Sequence, residues 1–283
     1  MFTDGPVTPL HVETLIEVLR RLGNRKMARE AIYGVLQPKG ITSSQEQSTR
    51  AVRAAIELNL VIEKNGEELE LTEAGRGRRS VRECVLDAID QFVLARTDVE
   101  YYFALFYSYM LGLNRDTVKG SARDWETAFN REVFGNRVTT NRFNETKWTG
   151  IHRWLVYAGL GWNDPSGEFQ CNPYDRLKRR LPDIFDAKKK LDDDTFMDRL
   201  AITCPELDGG DIFKQANRNA ENSRQCTLGL SHALTELHLD SQIQLHCSPD
   251  SRGWSLRYAS PPNDGNTLRS DRMDFIEIKK GAK

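Results

Sequence analysis

The sequence has no apolar run long enough to cross a bilayer. Its most apolar stretch, Tyr101–Leu113, falls short of the roughly 18–20 residues a spanning helix needs and is flanked by Asp98, Glu100, Arg115 and Asp116. No contact with a membrane is expected. An excess of one charge is also missing: 40 basic residues face 41 acidic ones, a formal charge of -1, and no third of the chain departs far from neutrality. Bulk charge therefore does not draw this protein onto nucleic acid, and any such contact must be local. Cysteines are few and odd in number, scattered at Cys84, Cys171, Cys204, Cys226 and Cys247. They read as thiols rather than a disulfide framework, and Met1–Pro6 lacks the basic and apolar pattern of a secretory leader, so a reducing cytoplasm is the expected location. There is no Cys-x-x-Cys, no Gly-rich phosphate loop and no nucleophile elbow. Cys226 with His232, or His246 with Cys247, lacks the paired spacing of a closed zinc site, so no metal or cofactor is expected.

What is present is core-forming material. The 283 residues are 39% hydrophobic and include 12 Phe, 8 Tyr and 5 Trp, enough apolar surface to offset ordering entropy in two ordinary domains or three small ones. Wholesale disorder is excluded.

In place of a catalytic motif there is an internal pattern, a helix followed by a short strand, a turn and a second strand, met three times. In the first copy Ser44-Gln45-Glu46-Gln47 has the form of a capping box opening a helix. Val52, Ala55, Ile56 and Leu60 share one face of it; Thr49, Arg50, Arg53 and Glu57 share the other. Leu60–Lys64 and Glu67–Thr72 then flank Asn65-Gly66, a strong hairpin signal. Two amphipathic helices, His11–Leu22 and Lys26–Leu36, come before. This order resembles the winged helix-turn-helix over residues 10–75.

The second copy runs from a helix at Asn144–Ala158, burying Trp148, Ile151, Leu155 and Ala158, into a hairpin of Leu160–Trp162 with Glu168–Gln170. Val99–Leu113 and Arg123–Phe134 are its preceding helices. The third starts near Arg224, buries Leu230, Ala233, Leu234 and Leu237, and exposes Arg224, Leu228, His232 and Thr235. Its expected hairpin is Gln242–Cys247 with Gly253–Ala259, after helices at Asp193–Ile202 and Asp211–Asn217. The expected fold class is mainly α with short β-hairpins, an α+β arrangement of tandem winged-helix modules. The expected domains are residues 1–80, a winged helix; 81–173, helical with a second such unit; and 174–283, a third unit with a C-terminal strand.

Free helix faces are where such modules meet a DNA major groove, because Arg and Thr reach base edges and phosphates there. Thr49, Arg50 and Arg53 are the first candidates and Thr149 and Arg153 the second. Arg176, Arg179 and Arg180, in a basic cluster, form a third set suited to phosphates. Against these stand Glu63, Glu67, Glu68 and Glu70 on the first wing, which would repel phosphates, and Asp175, Asp183 and Asp186, which could neutralise the basic cluster. A protein-facing role stays open. The five Trp residues read as core.

One enzymatic pattern is visible. Pro249-Asp250 followed by Glu277-Ile278-Lys279 resembles the Pro-Asp…(Asp/Glu)-x-Lys signature of a Mg²⁺-dependent nuclease superfamily, in which the carboxylates hold the metal. As a whole chain, the layout of the His11–Gly75 module and the later helix-hairpin units resembles the DpdG family of bacterial DNA 7-deazapurine modification and phage-restriction clusters. The likeness is one of size and architecture and transfers no functional residue. It implies a non-catalytic subunit that works with duplex DNA and with other proteins of a multi-subunit defence system. The Mg²⁺ nuclease and a pure protein-interaction adaptor are the alternatives.

Overall fold

The computed structural model describes residues 7–23, 26–41, 44–77, 79–94, 101–115, 120–135, 143–218, 224–246, 252–257 and 272–279. In chain order they form α1 (Pro9–Arg21), β1 (Met27–Ala28), α2 (Arg29–Leu36), α3 (Glu46–Glu57), β2 (Val61–Lys64), β3 (Glu68–Leu71), α4 (Glu73–Arg76) and α5 (Val81–Phe92). Next come α6 (Tyr101–Gly112), α7 (Ala122–Phe129), which runs into a π-helical turn at Asn130–Phe134, α8 (Glu145–Tyr157), β4 (Gly161–Asn163) and β5 (Phe169–Cys171). They are followed by α9 (Tyr174–Phe185), β6 (Lys190–Asp192), α10 (Asp193–Thr203), α11 (Asp211–Ala216) and α12 (Leu228–Leu239). The last strands are β7 (Ile243–His246), β8 (Trp254–Ser255), β9 (Arg272–Met273) and β10 (Phe275–Ile278). The fold is mainly helical with short antiparallel strands, the α+β class expected. None of the described helices is long and apolar enough to cross a membrane. Packing groups the chain into two compact units, Met1–Phe103 with Phe143–Tyr157, and Ala104–Arg142 with Ala158–Lys283.

In the first unit α1 buries Val12, Leu15, Ile16 and Leu19, a helical stripe that meets Ala51, Val52 and Ala55 of α3. Helix α3 begins at Glu46, and the expected capping box is not formed. The Ser44 hydroxyl accepts from the Glu46 amide at 3.2 Å, while the Gln37 side-chain oxygen, just past α2, accepts from the Ser48 amide at 2.6 Å. The orphan donors of the first turn are satisfied partly from another helix, which no local pattern encodes.

Asn65 and Gly66 both adopt the left-handed backbone a tight hairpin requires, with φ of +54° and +75°. Strands β2 and β3 pair from Val61 with Leu71 to Lys64 with Glu68. The start of the expected helix Lys26–Leu36 is instead extended: Met27 and Ala28 pair with Leu69 and Glu68, giving a sheet in the order β1-β3-β2. The other edge of β3 needs hydrogen-bond partners, and that demand overrides the helical period of the segment.

Helix α8 belongs to this unit. Ile151 and Leu155 are buried as expected, and so is Trp154, its indole Nε1 donating to the Val7 carbonyl at 2.9 Å. Trp148 is half-buried and stacks on His152. Lys147 is buried instead, its ammonium 4.7 Å from the centre of the Tyr102 ring.

In the second unit β4 and β5 form the expected hairpin, Gly161 opposite Cys171 and Trp162 opposite Gln170. Trp162 is 41% exposed, against the expectation that all five Trp are core. The third expected hairpin is not local. Strand β7 pairs with β10, Ile243 with Ile278 through His246 with Phe275, while Trp254 and Ser255 pair with Met273 and Arg272. Ile276 of β10 is buried opposite both Leu245 and Leu191, so an apolar strand distant in sequence completes the sheet that turn signals assigned to a nearer segment.

The resulting order is β6-β10-β7. Strand β6 follows a first helix, α9, and β7 and β10 follow the last, α12, as β1 follows α1 and β2 and β3 follow α3. In both sheets the final strand is central. The expected helices Asp193–Ile202 and Asp211–Asn217 are present as α10 and α11, and α9 precedes them. Cys84, Cys171, Cys204 and Cys226 are buried free thiols; Cys247 and Asp250 lie outside the described residues.

Candidate nucleic-acid interface

Three faces stand out in the sequence, and the structure treats them differently. On α3, Thr49 is exposed, Arg50 half-buried and Arg53 59% exposed. Arg50 pairs with Glu46 and Arg53 with Glu57 at 3.0 Å, each one helical turn away. Solvent-facing pairs of this kind contribute only about 0.3–0.5 kcal/mol, so a phosphate can displace either carboxylate at little cost. Tertiary contacts hold the helix itself in place, through Ser48 and the α1 stripe, and leave this face open to solvent.

The β2–β3 hairpin that follows α3 is less repulsive than its sequence. Arg29 pairs with Glu63 at 2.9 Å, Lys26 with Glu68 at 3.4 Å, and Lys64 with Glu70 at 2.6 Å; Arg76 also contacts Glu70. Four cations, Lys26, Arg29, Lys64 and Arg76, thus stand among the four carboxylates Glu63, Glu67, Glu68 and Glu70. Chiefly the hydrogen bond from Lys64, with the charge of Lys64 and Arg76, holds the Glu70 carboxyl below its ordinary range. Two of these cations come from the α1–α2 segment and one from beyond β3, so only the folded sheet assembles the neutralisation.

On α8 of the same unit Thr149 and Arg153 are both exposed, with Thr146 and Val156 completing the stripe. Arg153 thus stays in solvent where Trp154 and Leu155 beside it are buried.

The third set requires a correction. Arg176 is 1% exposed and its guanidinium pairs with Glu206 at 2.9 Å, also bonding the Thr203 carbonyl, so it cannot touch DNA in this fold. Arg179 donates to the Ala158 carbonyl at 2.9 Å and Arg180 pairs with Asp183 at 3.0 Å. The physical reason is position: α9 packs against α10 and α12, so its basic stripe is divided between a buried and a capping role. Asp183 neutralises the cluster in part, as its spacing suggested, and Glu206, remote in sequence, was invisible to that reading.

Helix α12 also lacks a free polar face. Gly229 and Ser231 are buried along with the apolar stripe, and a β-carbon on Gly229 would lie 2.6 Å from Leu111 Cδ1 and 2.7 Å from the Cys171 carbonyl. Leu228, His232 and Thr235 are only partly exposed. At its N-terminus Asp208 is fully enclosed and accepts from both the amide and the hydroxyl of Thr227, at 2.6 and 2.8 Å. Burial outweighs those bonds and pushes the Asp208 carboxyl up to about 6. This buried polar centre, with Arg176 and Glu206, ties helices together.

Of the nuclease pattern, Glu277 lies on β10, 3.4 Å from His246 Nε2 and 4.0 Å from Lys279 Nζ. Among the described residues no group of three His, Cys, Asp or Glu side chains is placed to hold a metal. A family model described as DpdG-like matches residues 5–251 of the chain. No curated protein and no solved structure matches it.

Proposed function

Because the chain belongs to the DpdG-like family, we propose that it is a non-catalytic, duplex-DNA-binding subunit of a bacterial DNA modification and phage-defence system, working in the cytoplasm with other proteins of that system. The two sheets of like order, β1-β3-β2 and β6-β10-β7, each with helices between its first and second strands, support reading both ends of the chain as winged-helix modules. The observation that carries the DNA reading is the open face of α3, with Thr49, Arg50 and Arg53 beside a charge-balanced wing. Helix α12 of the later module keeps only a partly exposed face, which favours a packing or assembly role for that half. Thr149 and Arg153 on α8 supply a second contact set.

Fluorescence anisotropy on labelled duplex across a salt series tests the proposal. Binding should weaken steeply between low and physiological salt. Arg53→Ala should flatten the slope of log K against log salt by roughly one unit, because one phosphate is no longer neutralised. Absence of duplex binding at low salt rejects the DNA reading in favour of the adaptor. Mg²⁺-dependent cleavage abolished by Glu277→Ala would instead establish the nuclease.

A further inference from the structure

We infer that the second unit carries a binding site for a nucleoside polyphosphate, in the cavity between the C-terminal end of α9 and the β10 side of the β6-β10-β7 sheet. The cavity is open to solvent and has a volume of about 570 Å³, inside the range of small-ligand pockets. Its lining brings together Lys188, Lys189 and Lys279, the apolar side chains of Pro182, Ala187 and Ile278, and Glu277, whose carboxylate lies 4.0 Å from Lys279 Nζ. These come from two chain segments remote in sequence.

The walls are held by backbone. Ile278 donates its amide to the Lys189 carbonyl at 2.9 Å, and Lys279 to the Gln242 carbonyl at 3.0 Å. Arg199 of α10 donates to the Ile184 and Phe185 carbonyls, both at 3.0 Å, fixing the end of α9. The turn that delivers Lys188 and Lys189 contains two successive non-glycine residues in the left-handed region, Asp186 at φ +46° and Ala187 at φ +61°. Asp186 is the left-handed cap that ends α9, and the turn it opens carries Lys188 and Lys189 to the cavity.

The chemistry selects the ligand class. Three lysines in the lining suit a di- or triphosphate, through charge-assisted hydrogen bonds. The apolar surface suits a planar base, and Glu277 can accept from ribose hydroxyls or a base amino group. Asp183, Asp186 and Asp192 lie exposed in the same segments. With Glu277 they would repel a long phosphodiester strand, so a compact anion is favoured over nucleic acid. The site is independent of the α3 face and stands or falls separately from the DNA reading.

Isothermal titration of the full chain with ADP and GDP tests the site, against adenosine, inorganic pyrophosphate and a short single-stranded oligonucleotide. At least one nucleoside diphosphate should bind at sub-millimolar Kd, tenfold or more tighter than adenosine, pyrophosphate or the oligonucleotide. Lys188→Gln with Lys189→Gln should weaken it at least tenfold without changing the Tm of the free protein, since both side chains are exposed. Lys279→Gln, on the opposite wall, is an independent variant with the same expected loss. Binding of neither diphosphate at millimolar concentration, pyrophosphate or oligonucleotide binding as tightly, or nucleotide affinity unchanged in the variants would overturn the site.

Discussion

Neighbouring residues on α8 separate stability from binding. Leu155 is fully buried and Arg153 exposed. Leu155→Ala should cost about 2–5 kcal/mol as a core cavity, whereas Arg153→Ala should stay within about 0.5 kcal/mol and weaken duplex binding alone. Urea melts of the two variants, read with the anisotropy assay, check this. Arg176 behaves as a buried partner rather than a surface cation. Arg176→Ala leaves the Glu206 carboxylate enclosed without its guanidinium and should destabilise by about 3–5 kcal/mol, while Arg176→Met with Glu206→Leu should recover most of the loss. Chemical denaturation of the single and double variants distinguishes this pair from a surface ion pair, which would show neither the loss nor the recovery.

At the scale of elements, the β4–β5 hairpin depends on a close approach. A β-carbon on Gly161 would meet the Gln170 carbonyl oxygen at 2.0 Å, across the strand pair itself. Gly161→Ala should therefore cost at least about 2 kcal/mol by separating the strands. Gly167, at φ +83° in open space, meets only backbone strain on substitution, and Gly167→Ala should cost about 1 kcal/mol. Thermal melts of the two variants should rank them in that order. The hairpin was legible in the sequence because Asn163–Gly167 lies between two short apolar strands. Strand β1 was not legible: nothing in Met27-Ala28 marks it as extended, and it exists because β3 offers an open edge.

For the molecule as a whole, acid stability carries two opposed contributions. The carboxyls of Glu70, Glu83, Asp124 and Asp192 are held low by hydrogen bonds and nearby cations, so the stability they supply is lost as pH falls. Asp208 acts in the opposite sense. Its folded value of about 6 lies above the ordinary 3.8, so the folded state keeps a proton that the unfolded chain has released. Its contribution is fully present below about pH 4 and is lost as pH rises through about 6. The stability of the wild-type protein relative to Asp208→Asn should thus grow by up to about 3 kcal/mol on going from about pH 7 to about pH 4. Paired denaturation curves at the two pH values read that difference directly, and a constant difference contradicts it.

What the sequence determined by itself was local: the helices, whose apolar stripes recur at 3.6 residues, the Asn65-Gly66 turn, and the exposed polar face of α3 opposite its buried one. Those features depend on residues a few positions apart. The tertiary structure alone decided which charges face solvent and which strands are neighbours. Arg176 and Arg153 are equivalent as sequence, yet one is buried against Glu206 and the other is exposed. The glutamates of the β2–β3 hairpin look repulsive until Lys26 and Arg29 fold beside them. Strand β10 joins β7 across a long intervening segment because Ile276 requires cover from Leu245 and Leu191. In each case the partner is distant along the chain, and burial and ion pairing act through space.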